Sequence, residues 1–360
     1  MQVMSAAQNL LNLYTPRQGL IYTGSNDNFI RAYHPGSVNP MFEEEAHADT
    51  VSCFFVSPVT GTLLSGSWDM TAKVWVDNLK PVMTLKGHEA AVWAVAILPR
   101  NGLMVTGGAD KRVILWQAGQ AKKKLESAHT QAVRDIAVIS EDTFISGSND
   151  ATLKVWRVKI DGSNVDAELL KTLDAPSNNF IYTMSVLSGA DNMWAVAGEN
   201  SGIMVFGEGS CQQVLQVPAI SIWKVTELPN KDIAAACSDG KIWIFTKDLG
   251  RKAPADMVTV YEGELAKFKR PAQTELQGVK MEDLPAPSAL LAPGKRDGQT
   301  KMVNEGGVVT VHSWSEGKMK NRVTSPCQVL GPEIILVRGL VKLVPAVAYH
   351  FCLNLPATFS

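Results

Sequence analysis

The sequence predicts an all-β domain made of repeated units of about 40 residues. The first observation is an acidic turn that recurs at residues 27, 69, 110 and 150, in steps of 42, 41 and 40 residues. The second is a large aromatic residue six positions after each of these aspartates. The third is a histidine that precedes three of the turns by 21 or 22 residues and is followed four residues later by valine. This spacing predicts a series of similar β-sheets along the sequence.

Within each unit the residues between these markers predict strands. Val51, Val92 and Val133 open alternating stretches such as Val-Trp-Ala-Val-Ala-Ile, which is the pattern of a half-buried strand. The apolar runs 103–106 and 113–116 lie on either side of a glycine-rich acidic turn and predict a hairpin. The aromatic residues after the four turns are Tyr33, Trp75, Trp116 and Trp156, and two weaker copies keep the offset with Phe206 and Phe245. Each unit is therefore an inner strand, a hairpin and a weaker outer strand.

Composition and charge exclude several classes of protein. Hydrophobic residues at 46% and charged residues at 19% are typical of a folded chain with a substantial core. A net charge of -1 argues against nucleic acid or an anionic membrane as the partner and favours protein. The apolar stretch 333–355 is interrupted by Arg338, Lys342 and Pro345, which disfavours a membrane helix. The five cysteines form no CxxC pair and no signal peptide is expected, so we expect a protein of the cytosol, with the nucleus as a second location.

The repeated histidines and aspartates do not predict an enzyme. Chemistry needs groups that converge at one place, whereas a repeated structural bond needs one copy in each sheet. The glycine-rich turns lie inside hairpins and do not open helices, as a phosphate-binding loop requires. We therefore expect no catalytic residue, no metal site and no cofactor.

At this point the chain resembles the WD40 repeat family, whose four-stranded blades are arranged radially as a propeller. In that family a histidine, a Ser or Thr, the turn aspartate and the strand tryptophan of each blade are joined by hydrogen bonds. The resemblance implies three such networks in this sequence: His47, Ser65, Asp69 and Trp75; His88, Thr106, Asp110 and Trp116; and His129, Ser146, Asp150 and Trp156.

A narrower resemblance is to the phospholipase A-2-activating protein family. It is carried by the segment 61–75 (GTLLSGSWDMTAKVW), by 91–95 (AVWAV), by 221–223 (SIW) and by PGKRDGQTK at 293–301 with Trp314. The last of these is similar to the start of the PFU domain of that family. The match covers residues 17 to about 320, in the order propeller, linker and PFU opening.

The family resemblance implies a cofactor-free adaptor in ubiquitin-dependent protein degradation, sorting and ubiquitin homeostasis. Its members bind ubiquitin through the propeller and the PFU domain. They also dock on a hexameric AAA ATPase, of the valosin-containing protein type, through a C-terminal PUL domain that has no match in this sequence, so docking by this chain is not expected. A generic WD40 scaffold for an unrelated partner stays open as the alternative, because fold alone does not fix the ligand.

The domain boundaries predicted from these patterns are an atypical N-terminal segment at 1–16, a propeller at 17–248, a linker at 249–292, a truncated PFU start at 293–320 and an unmatched tail at 321–360. The first complete unit begins near Phe42, and the copy before it starts only at its second strand. We expect five complete blades and a partial one where the family has seven, and hence an open ring with exposed strand edges.

The expected binding surface lies where the inner strands begin. The residue directly after the apolar one that opens each inner strand should project toward the channel mouth. In the five units these residues are Ser52, Trp93, Arg134, Tyr182 and Trp223. Four of the five are Trp, Tyr or Arg, the types that dominate interface hot spots, although channel-lining aromatics also pack on each other simply to fill space. We predict that ubiquitin binds here.

Overall fold

The computed structural model describes residues 19–268 except for 77, 176–179, 189–192, 200–201 and 208. It also describes Ser288 and the backbones of a strand at 9–15 and of seven short strands after residue 268.

Six consecutive groups of strands form the main body. Sheet 1 contains β1 (Asn9–Thr15), β2 (Leu20–Ser25), β3 (Phe29–Tyr33) and β4 (Phe42–Glu45). Sheet 2 contains β5 (Val51–Val56), β6 (Leu63–Ser67), β7 (Thr71–Val76) and β8 (Lys80–Lys86). Sheet 3 contains β9 (Val92–Ile97), β10 (Met104–Gly108), β11 (Val113–Gln117) and β12 (Gln120–Leu125).

The other three groups follow in chain order. Sheet 4 contains β13 (Val133–Val138), β14 (Thr143–Ser148), β15 (Thr152–Asp161) and β16 (Asn164–Asp174). Sheet 5 contains β17 (Ile181–Leu187), β18 (Met193–Gly198), β19 (Gly202–Gly207) and β20 (Ser210–Gln216). Sheet 6 begins with β21 (Ile222–Glu227), β22 (Ile233–Cys237) and β23 (Ile242–Thr246).

The sheets pack side by side through their inner strands. β1, β5, β9, β13, β17 and β21 contact one another in that order, and within each sheet consecutive strands pair antiparallel. This is a propeller, and the all-β prediction is confirmed. The five complete units of the sequence correspond to β4–β7, β8–β11, β12–β15, β16–β19 and β20–β23, and the partial unit corresponds to β2 and β3. The open ring stays a prediction.

β1 completes sheet 1, although the sequence predicted no element in residues 1–16. Its backbone pairs antiparallel with β2, from Asn9 opposite Ser25 to Thr15 opposite Leu20. The first sheet therefore has four strands of its own, and the partial unit of the sequence receives its inner strand from the segment that precedes it.

The recurring aspartate has a local structural cause in five of the hairpin turns. One carboxylate oxygen of Asp27, Asp69, Asp110, Asp150 and Asp239 accepts a hydrogen bond from the backbone N–H two residues later. The residue between these two has a positive φ, which is 67° at Met70 and 75° at Gly240. A short acidic side chain stabilises such a turn by replacing a backbone acceptor.

The hydrophobic core is divided among the interfaces between neighbouring sheets. Five clusters of buried residues each span two consecutive sheets. Trp116 is only 1% exposed and lies in the cluster shared by sheets 2 and 3. Because each cluster needs both of its sheets, the packing fixes the position of every inner strand relative to the next one.

A single turn of 3-10 helix (Leu249–Arg251) and a helix, α1 (Ala255–Phe268), follow sheet 6. Tyr261 of α1 donates a hydrogen bond from its hydroxyl to the Gln216 carbonyl oxygen at 2.8 Å, and its ring lies 5.4 Å from that of Trp243. The segment predicted as a linker thus begins with a helix that packs on sheets 5 and 6. Among the described residues, no helix is long and apolar enough to cross a membrane.

Beyond α1 the described strands form small sheets or extend the propeller. β24 (Glu275–Leu276) pairs with β25 (Val279–Lys280), and β26 (Thr300–Glu305), β27 (Val308–Ser315) and β28 (Lys318–Asn321) form a three-stranded antiparallel sheet. β29 (Ile335–Gly339) pairs with β23 as the fourth strand of sheet 6, and β30 (Phe351–Cys352) pairs parallel with β1. Residues 293–299 lie outside the described residues, and a PFU start at 293–320 stays a prediction.

Candidate protein-binding site

The histidine networks lie within the blades, where the resemblance placed them. His88 Nδ1 is 2.8 Å from Asp110 Oδ2, and His88 Nε2 is 2.7 Å from Thr106 Oγ1. Trp116 Nε1 donates to the same Thr106 hydroxyl at 2.8 Å. The indole N–H can only donate and the carboxylate can only accept, and this fixes the direction of the hydrogen bonds between them. His88 therefore donates from Nδ1–H to Asp110, and the Thr106 hydroxyl donates to His88 Nε2.

The other two networks repeat this geometry in sheets 2 and 4. In sheet 2 the Nδ1–Oδ2, Nε2–Oγ and Nε1–Oγ distances are 2.9, 2.7 and 2.8 Å among His47, Asp69, Ser65 and Trp75. In sheet 4 they are 3.0, 2.8 and 2.9 Å among His129, Asp150, Ser146 and Trp156. Each network ties the loop before an inner strand to the hairpin of its own sheet.

The carboxylates of these networks are held in their charged form. Burial raises the pKa of Asp69, but hydrogen bonds from His47 and Thr71 and the attraction of His47 lower it by more. The pKa of that carboxyl therefore lies well below its ordinary value, and the same balance lowers the pKa of Asp110 and Asp150.

Every predicted binding residue is the extra residue of a β-bulge in its inner strand. The register with the next strand slips between Val51 and Cys53, and slips likewise around the other four positions. The skipped residues are Ser52, Trp93, Arg134, Tyr182 and Trp223. A bulge re-aims a side chain out of the sheet pattern, which explains why a large polar or aromatic residue fits at the start of each inner strand.

The apolar residue before each bulge anchors it. Val51, Val92, Val133, Ile181 and Ile222 are all 0% exposed, whereas the bulge residues themselves are half-buried. The backbone at each bulge is therefore held by a buried side chain, while the bulge residue itself stays partly exposed. Such an arrangement is preorganised for binding, because little conformational freedom is left to lose.

Four of the bulge residues stack on one another across sheets 3 to 6. The Arg134 guanidinium carbon lies 4.4 Å from the centroid of the Trp93 ring and 5.0 Å from that of Tyr182. The Tyr182 and Trp223 rings are 5.2 Å apart and inclined by 11°. We call Trp93, Arg134, Tyr182 and Trp223 the bulge ladder. Ser52 joins it through the backbone, because its hydroxyl donates to the Val92 carbonyl oxygen.

The cation of the bulge ladder is held by aromatic faces and not by a carboxylate. Burial lowers the pKa of Arg134, while the Tyr182 hydroxyl and Asp135 act in the opposite direction. Among the described residues, no acidic side chain forms an ion pair with Arg134, and its Nε has no protein acceptor. The planar guanidinium lies between the two rings, and its Nε is buried without a hydrogen-bond partner.

Tyr182 is fixed by a second polar contact. Its hydroxyl donates to Glu199 Oε1 at 2.9 Å. Burial and then the nearby Glu199 carboxylate raise the pKa of Tyr182 to about 12. The phenol is therefore neutral at physiological pH and acts as a hydrogen-bond donor in the ladder.

Three exposed apolar residues lie next to the start of an inner strand, in the sequence or by a backbone hydrogen bond. Trp68, Phe180 and Ile220, called the rim residues below, are 53%, 37% and 70% exposed. The backbone N–H of Trp68 donates to the Thr50 carbonyl oxygen, which places its turn next to the start of β5. Phe180 directly precedes β17 and its ring lies 6.4 Å from that of Tyr182. Exposed apolar side chains at these positions are candidate contacts for a partner.

Sequence reasoning missed the three rim residues as binding candidates. The available signal was local: Trp68 occupies a turn position that holds Asn26, Ala109 or Asn149 in other units. A large apolar side chain in a polar, exposed turn has no packing role there, and this was visible in the sequence.

Two observations bear on metal-binding and nucleophilic groups among the described side chains. The described residues contain no group of three or more His, Cys, Asp or Glu side chains placed to hold a metal ion. Burial raises the pKa of the Cys53 thiol to about 12. The nucleophilic thiolate form of Cys53 is therefore suppressed at neutral pH.

Comparison with known proteins agrees with the repeat pattern and extends it. The family described as WD domain, G-beta repeat matches residues 39–76, 79–117 and 120–157. Phospholipase A-2-activating protein of Xenopus laevis is 39% identical over 302 residues, which are 84% of this chain and 36% of that protein. The WD40 beta propeller domain of Doa1, a crystal structure, is 30% identical with a TM-score of 0.59, over 67% of this chain and 79% of that domain.

This chain belongs to the phospholipase A-2-activating protein family. Another relative, the ubiquitin homeostasis protein lub1 of Schizosaccharomyces pombe, is 32% identical over 83% of this chain and 40% of its own length. The chain is thus a WD40 propeller protein of this family. The chain spans 36% of the length of the Xenopus laevis protein and 40% of that of lub1. The family resemblance found in the sequence is confirmed over the region that they share.

Proposed function

We propose that this chain is a ubiquitin-binding adaptor in ubiquitin-dependent protein degradation and sorting, and that the bulge ladder is its ubiquitin-binding surface. The observation that carries the proposal is the continuous stack of Trp93, Arg134, Tyr182 and Trp223 at the starts of four neighbouring inner strands. The names of its relatives supply the pathway, and the chemistry of the ladder supplies the binding mode.

The chemistry of the two surfaces is complementary. Ubiquitin presents an apolar patch flanked by basic residues, and the indole and phenol rings of the ladder offer apolar contact area. The neighbouring carboxylate, Asp135, is paired with Lys224, and Arg134 has no ion-pair partner among the described residues. We therefore expect the terminal N–H groups of Arg134 to donate to a backbone carbonyl oxygen of ubiquitin rather than to a charge.

A scaffold does not need a reaction centre, and the proposal contains none. Docking on an AAA ATPase is no part of it, because nothing in the ladder geometry calls for that partner. The three described cysteines are free thiols, which supports a place of action in the cytosol or nucleus.

The direct test is calorimetry of the full chain with monomeric ubiquitin. Trp93→Ala and Trp223→Ala should each weaken binding by about 2 kcal/mol, or roughly 30-fold, because each removes a hot-spot side chain. Leu169→Ala is the matched control, since Leu169 is 45% exposed on the outer strand β16, away from the ladder. Ubiquitin affinity unchanged in both tryptophan variants would reject the surface. Absence of any ubiquitin binding by the wild-type chain would leave the generic scaffold.

A further inference from the structure

Asp135 lies directly after Arg134, and its side chain contacts the inner strands of two further sheets. The corresponding residue is Cys53, Ala94, Thr183 or Lys224 in sheets 2, 3, 5 and 6, so only sheet 4 has a carboxylate there. Asp135 Oδ1 accepts from the Ile136 backbone N–H at 2.9 Å. This contact holds the carboxylate against its own strand.

The other oxygen of Asp135 reaches two further sheets. Oδ2 accepts from the Met184 backbone N–H of β17 at 2.7 Å and from Lys224 Nζ of β21 at 3.2 Å. Met184 is two residues after Tyr182, and Lys224 directly follows Trp223. One carboxylate, next to Arg134, thus contacts a backbone N–H near Tyr182 and the side chain that follows Trp223.

The contact between Asp135 and Lys224 is partly buried, so its electrostatic attraction is stronger than that of an exposed ion pair. The side chains of Asp135 and Lys224 are only 16% and 20% exposed, and Met184 is 4% exposed. Water and salt screen such a pair less than they screen an exposed one. The Met184 N–H also depends on Asp135, because a buried donor without an acceptor is costly.

We propose that Asp135 is the positioning residue of the bulge ladder, holding sheets 4, 5 and 6 at the spacing that stacks Arg134, Tyr182 and Trp223. It acts through the ladder and is not itself a contact for the partner. The part of this inference that concerns affinity rests on the proposed function, whereas the part that concerns ladder geometry does not.

The test compares Asp135→Asn, Asp135→Ala and Lys224→Met with the wild-type full chain. Asparagine still accepts from the Met184 N–H but loses the charge that attracts Lys224, so its effect should be smaller than that of alanine. Glu168→Gln is the matched control, because it removes an exposed ion pair in which Lys159 Nζ lies 2.8 Å from Glu168 Oε2.

The first readout is the NMR resonance of the Arg134 Nε–H, which ring currents of Trp93 and Tyr182 displace in the stacked state. Arg134→Lys identifies this resonance by its loss. We expect it to move toward its position in an unstructured peptide in all three variants and to stay in place in Glu168→Gln. The folded state itself is checked by a cooperative thermal transition in each variant.

The second readout is the dissociation constant for monomeric ubiquitin, measured by calorimetry. In Asp135→Ala the ladder side chains are no longer held in the stacked arrangement and must be ordered again when ubiquitin binds. We therefore expect the affinity for ubiquitin to fall about tenfold. An unchanged Arg134 resonance in folded Asp135→Asn and Asp135→Ala would overturn the inference, even if Trp93→Ala abolished ubiquitin binding. A displaced resonance in a chain that binds no ubiquitin would support the positioning role and reject the proposed function alone.

Discussion

The guanidinium carbon of Arg134 lies 4.4 Å above the Trp93 ring, although the two residues belong to different sheets and are 41 positions apart. Each of sheets 3 to 6 contributes one side chain to the bulge ladder, and contacts such as this one join those side chains into a continuous surface. Removing either partner therefore affects more than its own contact area, because the remaining ring or cation loses the neighbour that fixes it.

Arg134→Lys should weaken ubiquitin binding by about tenfold, because an ammonium keeps the charge but not the planar surface that stacks between two rings. Calorimetry measures the change. Arg157→Lys is the matched control, since Arg157 is exposed on β15 and is expected to leave the affinity unchanged. Wild-type affinity in Arg134→Lys would show that the stack is not required.

Trp116→Ala should lower the free energy of unfolding by about 3 to 5 kcal/mol, because it leaves a cavity between sheets 2 and 3 and removes a donor to Thr106. Denaturant titration measures this change, with Trp68→Ala as an exposed control that should cost less than about 1 kcal/mol. Ubiquitin affinity should change only through the loss of folded protein. Free quenching of Trp116 fluorescence by acrylamide in the native state would contradict its assignment to the core.

Trp68→Ala should weaken ubiquitin binding by roughly 1 kcal/mol, a contribution typical of a peripheral contact, while leaving stability almost unchanged. Its side chain is 53% exposed beside the start of β5, where the ladder position holds only Ser52. Calorimetry of this variant beside Leu169→Ala separates a rim contact from a general surface effect. Equal affinities of the two variants and the wild type would exclude Trp68 from the interface.

Asp110→Asn should destabilise the chain most at neutral pH, by about 1 to 3 kcal/mol, since it removes a charged hydrogen-bond acceptor of His88. The pKa of Asp110 is lowered in the folded state, so the carboxylate adds stability above the pKa of the unfolded chain, near 4, and loses it as pH falls toward the folded pKa. Denaturant titrations at pH 7 and pH 3 measure the difference between variant and wild type. A difference that stays constant between these two values would be inconsistent with this linkage.

The sequence was sufficient where structure follows from local patterns. The acidic turns form because an aspartate side chain reaches the N–H two residues later, and the inner strands start where Val51, Val92 and Val133 open an alternating stretch. Both signals lie within a few residues, so the repeat and the starts of the inner strands could be placed without the structure, whereas the β-bulges at those starts were not predicted.

Long-range contacts were beyond such reasoning. β1 has no turn motif of its own and is recognisable only by its pairing with β2. The contact of Asp135 with Lys224 joins residues 89 positions apart and depends on how far sheets 4 and 6 stand from each other. The period of the repeat does not determine this distance, and neither does it determine which ladder rings stack.

The central claim is that ubiquitin contacts the bulge ladder directly. The measurement that tests it is titration of the full, isotope-labelled chain with unlabelled ubiquitin, following the indole N–H resonances assigned through tryptophan-to-phenylalanine variants. We predict that the Trp93 and Trp223 resonances shift and saturate, whereas those of Trp75 and Trp116, which are 2% and 1% exposed, stay in place. Saturable binding that leaves both Trp93 and Trp223 unshifted would contradict the claim.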